Sequence, residues 1–75
     1  MARTTKAQAE AETRLLAAFE AGIDYYAENP DAVLAEIYRE ATKRYSANKN
    51  EAMEFAMGYC NARRQRDDFL REKKQ

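Results

Sequence analysis

Tyr25-Tyr26-Ala27-Glu28-Asn29-Pro30-Asp31-Ala32-Val33 contains the chain's only proline, and its reading decides how the sequence divides. Asn29 is a favourable helix N-cap. Pro30 suits the first helical position, where its missing N–H would be unpaired in any case, and Asp31 sets a carboxylate against the positive end of a helix. One helix is therefore expected to end near Glu28 and another to begin at Asp31. A second break falls at Ser46-Ala47-Asn48-Lys49-Asn50, where Asn48 followed by Glu51 resembles a capping box and Asn50 is an alternative cap. Two breaks give three helices, over residues 5–28, 31–45 and 49–73.

Apolar spacing supports the division. In the first segment Leu15, Phe19, Gly22 and Tyr26 recur at intervals of four and three, with Leu16 and Ile23 widening the stripe, and burial should begin near Leu15. Val33, Leu34, Ile37, Tyr38, Ala41 and Tyr45 form a similar arc in the second. In the third, Ala52, Met53, Phe55, Ala56, Met57, Tyr59 and Cys60 wrap much of the helix, as expected if it packs against two neighbours. Gly22 and Gly58 each cost a helix about 1 kcal/mol relative to alanine. Close packing against a neighbour is the reading for Gly22; for Gly58 the residues leave the reason open.

With only two glycines, few β-branched residues and many Ala, Glu, Arg and Lys, no strand is expected. The fold class is all-α: a three-helix antiparallel bundle with long first and third helices and a shorter second one. All 75 residues form a single domain, with residues 1–5 expected to be disordered. At about 1.5 Å per residue the outer helices exceed the middle one by roughly 13 Å, so the end of the third helix overhangs the bundle.

Hydrophobic residues make up 45% of the chain and charged residues 35%, which suits a bundle with solvated faces rather than a disordered tail. Lys+Arg and Asp+Glu both number 13, so no global field draws the protein to nucleic acid or to an acidic membrane. A single cysteine cannot form an internal disulfide. This points to a reducing, cytoplasmic setting, and Cys60 reads as a small buried apolar residue. No apolar run approaches membrane-spanning length, and no partnership with a membrane is expected. The chain lacks histidine, paired cysteines and a glycine-rich phosphate loop, so no catalytic residue, metal or cofactor is expected, and the protein reads as a non-enzyme.

What remains is surface. Arg63, Arg66 and Leu70 continue the line of Tyr59 along the third helix, with Phe69 to one side, so cations occupy a stripe that was apolar one turn earlier. Either these arginines lie over the bundle end and pair with Asp24, Glu28 or Asp31, or they face an anionic partner surface. Phe69 and Leu70 need covering, by the first turn, by a second copy or by a partner. Tyr25 falls outside the main stripe of its helix and is expected to be exposed, as interface anchors often are. Tyr25, Arg63, Arg66, Phe69 and Leu70 are accordingly the candidate partner-binding residues. A helix-turn-helix reading fits less well: a recognition helix reads bases with its N-terminal residues, whereas these arginines sit late in a long helix beside Asp67 and Asp68.

The run Phe55-Ala56-Met57-Gly58-Tyr59-Cys60-Asn61-Ala62-Arg63, in a short and nearly all-helical chain without a catalytic motif, resembles the small accessory proteins of bacteriophages and other mobile elements. The resemblance is one of overall style and transfers no site residue. It implies a protein that binds a host protein and blocks or redirects it by steric occlusion, as anti-CRISPR and other anti-defence proteins do. The alternatives are a small, dimeric nucleic-acid-binding transcriptional regulator and a structural homo-oligomer.

Overall fold

The computed structural model describes residues 5–73, and among them the fold is a three-helix bundle with no strand. Helix α1 spans Lys6–Glu28, α2 spans Leu34–Arg44 and α3 spans Lys49–Lys73. The inequality in length is larger than the sequence suggests: 23, 11 and 25 residues. The expectation of disorder over residues 1–4 lies outside the described residues. Thr5 caps α1, its side chain accepting from the Gln8 N–H at 3.1 Å while the Gln8 side chain accepts from the Thr5 N–H, a reciprocal cap that satisfies two donors at the start of the helix.

Asn48 proves to be the cap of α3. Its Oδ1 accepts from the Asn50 and Glu51 N–H groups at 3.0 and 3.2 Å, which makes Asn50 an interior residue. The start of α2 departs from the reading of Asn29-Pro30-Asp31. Asn29 closes α1, its backbone N–H donating to the Tyr25 carbonyl at 2.8 Å, Pro30 and Asp31 form a turn, and α2 begins only after Val33, whose side chain makes no capping bond. The reason is tertiary. The Tyr59 hydroxyl donates to the Asn29 carbonyl at 2.7 Å and accepts from the Ala32 N–H at 3.1 Å, holding residues 29–32 as a turn stapled to α3.

The chain runs up, down and up. Arg14 pairs with Glu51 at 3.4 Å near the start of α1 and α3, and Arg66 meets Tyr26 toward their ends, so these two helices are parallel. α2 returns antiparallel to them, its start at Tyr59 and the Tyr45 that closes it stacked on Phe55. α3 lies in the middle and packs against both neighbours. α1 and α3 touch backbone to backbone at two glycines. A methyl on Gly22 would overlap the Phe55 carbonyl oxygen and come within 2.9 Å of the Tyr59 nitrogen, and one on Gly58 would overlap the Phe19 carbonyl oxygen. Gly58, left open by the sequence, thus has the same reason as Gly22.

The core is small. Among the described residues Phe55, Tyr59 and Ile37 are the only large fully buried side chains, and Ala18, Ala32, Ala41 and Ala56 make up the rest of the buried apolar set. Around Phe55 and Tyr59 the rings of Tyr25, Tyr26 and Tyr45 pack at centroid distances of 5.2 to 6.0 Å. Tilted and edge-on contacts of this kind add to the burial energy. The Arg44 guanidinium lies 4.9 Å from the Phe55 centroid and 5.6 Å from that of Tyr25, bridging α2 to α1 over the aromatic cluster.

Several sequence expectations fail here. Leu16, Ile23, Val33, Leu34, Tyr38, Met53 and Met57 are exposed, although each lies on an apolar arc. Cys60 is exposed as well, and not a small buried residue. A short α2 on one side of α3 covers a narrower arc than a full-length neighbour would.

Candidate functional site

Two surfaces stand out, and both are built on α3. The first is its distal part. Every described residue from Arg63 to Glu72 is exposed, because α1 ends at Glu28 and α2 starts beside Tyr59, leaving no helix opposite the last turns. Phe69 is 58% exposed and Leu70 45%, so two large apolar side chains stand on a mostly charged segment.

At the base of this segment Arg66 donates to the Tyr26 hydroxyl at 3.3 Å, a contact that raises the guanidinium pKa above its ordinary value. Tyr26, Pro30, Asp31, Arg63, Arg66, Asp67 and Leu70 surround a shallow concavity beside the α1–α2 turn. Among the described residues no ion pair joins Arg63 or Arg66 to Asp24, Glu28 or Asp31; the one side-chain partner found from α1 is the Tyr26 phenol. Of the five candidate residues, Arg63, Arg66 and Leu70 come together here. Phe69 is on the same overhang but outside the concavity. Tyr25 is elsewhere: it is half-buried against Phe55 and Tyr59, under Arg44, contrary to the expected exposure, and its role there is to hold α1 and α2 on α3.

The second surface was not anticipated. Tyr38 of α2 and Met53, Ala56, Met57 and Cys60 of α3 line an apolar groove of about 140 Å³ between the two helices. Met53, Met57, Tyr38 and Leu34 are each more than half exposed. The signal was present in the spacing: Met53, Met57, Cys60, Arg64 and Asp67 recur at four and three residues, the repeat of a helix-packing seam.

Chemically, both surfaces are suited to contact. Among the described residues no group of acidic and cysteine side chains could hold a metal, and no helix is long and apolar enough to cross a membrane. No family model, curated protein or solved structure matches this chain.

Proposed function

We propose that the protein is a non-enzymatic binding module that occludes a surface on another protein, a phage-type inhibitor of a host protein in the manner of anti-defence proteins such as anti-CRISPRs. The observation that supports this reading is the exposed distal part of α3, where Phe69 and Leu70 stand beside Arg63 and Arg66 on a segment with no helix opposite it. Large apolar side chains rimmed by arginine are the composition of an interface hot spot, and they cost solvation when left in water. The Tyr26 contact at the base of the segment limits the freedom of Arg66, so less entropy is lost on binding. The partner surface that fits is an apolar depression bordered by carboxylates.

The test compares capture of a host protein by the wild-type chain and by the Arg63→Glu, Arg66→Glu, Phe69→Ala variant. The wild type is expected to retain a protein at stoichiometric amount and to relieve the defence activity that this protein supports. The variant should lose both while keeping its helical circular dichroism, since all three positions are exposed. Equal capture by the variant would remove the surface assignment. Retention of duplex nucleic acid, weakening steeply with salt, would instead establish the nucleic-acid-binding alternative.

A further inference from the structure

We infer that the groove between α2 and α3 is the docking site for a second copy of this chain. The groove has walls without formal charge, formed by Tyr38, Met53, Ala56, Met57 and Cys60, and Leu34 extends its apolar surface along α2. An apolar face of this kind, rimmed by polar residues, marks a contact. Three quantities say that the contact is with the chain itself.

The first is shape. The radius of gyration is 14.7 Å, against roughly 11 Å for a compact domain of this length, and the thinnest extent is 15 Å. Stable helical folds bury each helix face against a second layer, and a body this thin is close to a single layer. The second is area. The chain exposes 6169 Å², whereas a compact monomer of its mass exposes about 4,700 Å². The excess is larger than the roughly 800 Å² that each partner contributes to a standard interface, so a stable dimer has the surface it needs.

The third is the core. Among the described residues only three large side chains are fully buried, while Leu34, Tyr38, Met53 and Met57 along this groove are each more than half exposed. A deficit of that kind belongs to the fold itself. The cover that meets it must be present wherever the chain is, and a second copy is the one partner that satisfies this condition. Charge allows it: Lys+Arg and Asp+Glu balance, so two copies do not repel, and Arg64 and Asp67, which continue the seam beyond Cys60, carry opposite signs. A two-fold pairing would set α2 and α3 of each copy against those of the other as four helices, with the methionines, adaptable in packing, at the centre.

This proposal does not draw on Arg63, Arg66, Phe69 or Leu70, so its test is separate from the one above. The full chain is examined by sedimentation velocity from low to high micromolar concentration, with Met53→Glu/Met57→Glu beside it. The wild type is expected at twice 8.7 kDa, and the double variant should dimerise about a hundredfold more weakly, or worse, because two buried apolar anchors are replaced by charges. Since the variant could fail to fold, a second measurement is placed in a Cys60→Ser background. Met57→Cys should give a covalent dimer with a short bis-maleimide, and Leu16→Cys, an exposed position on α1 outside the groove, should not. A monomeric wild type, an undiminished dimer in the double variant, or cross-linking at Leu16→Cys but not at Met57→Cys would each overturn the assignment.

Discussion

Replacing Gly58 or Gly22 with alanine should destabilise the protein by about 3 kcal/mol or more, although alanine is the better helix former by about 1 kcal/mol. In an isolated helix the sign would be the opposite. Here the added methyl of Gly58→Ala overlaps the Phe19 carbonyl oxygen and lies 2.9 Å from its carbon, and that of Gly22→Ala overlaps the Phe55 carbonyl oxygen. These are backbone atoms, which no rotamer change can move aside. Relief requires α1 and α3 to separate, and separation loosens the contacts of Phe55 and Tyr59 with Tyr25 and Tyr26. Since a domain has only some 5–15 kcal/mol of net stability, the loss should be plain in urea denaturation followed by circular dichroism. A raised midpoint in either variant would show that the helices do not cross at these glycines.

That crossing illustrates what the sequence does and does not disclose. The three helices follow from Pro30, from Asn48 and from the spacing of Leu15, Phe19, Gly22 and Tyr26, because capping chemistry and helical period are local. The start of α2 does not follow. Asn29 and Pro30 are fit to begin a helix, yet Asn29 closes α1 and Pro30 enters a turn because Tyr59, 27 to 30 residues away, takes up the Asn29 carbonyl and the Ala32 N–H. The burial of Tyr25 does not follow either, for a related reason. Its angular offset from Phe19 would mean exposure if α1 faced one neighbour alone, whereas Arg44 of α2 reaches over its ring and widens the covered arc.

The surfaces divide in the same way. The exposure of Arg63 to Leu70 was legible from the charges and from the short second helix, but the partner of Arg66 was not, since a phenol and three carboxylates were all within plausible reach. The groove lined by Met53 and Met57 was hidden for a different reason. A helix that is apolar nearly all round can have two neighbours in its own chain, or one more from outside, and periodicity counts the faces without saying who covers them.

Tyr59 ties the core to the turn, and its replacement is expected to be as damaging as that of either glycine. Tyr59→Ala should cost about 3–5 kcal/mol, the range for removing a buried aromatic ring, because the side chain is fully buried and touches Tyr25 and Tyr26. Tyr59→Phe isolates the hydroxyl. It keeps the ring but removes the hydroxyl's bonds to the Asn29 carbonyl and the Ala32 N–H, leaving that N–H only its longer bond to the Asn29 carbonyl at 3.3 Å, for a loss of about 1 kcal/mol. The same hydroxyl makes a pH prediction. Burial is the largest influence on the Tyr59 phenol and raises its pKa above the ordinary 10.0, with Tyr26 and Asp31 adding to the rise against the Ala32 N–H and Arg63. Below pH 10.0 the folded and unfolded chains both keep this proton. Above it the unfolded chain releases the proton first, so the folded state binds more protons and its stability falls as the pH rises. Denaturation midpoints measured on either side of that value should therefore decline more steeply for the wild type than for Tyr59→Phe, and parallel slopes would show that the hydroxyl ionises as freely in the folded chain as in the unfolded one. A small loss in Tyr59→Phe with an unchanged slope would place the staple of the 29–32 turn in the ring alone, with the Ala32 N–H held by the Asn29 carbonyl.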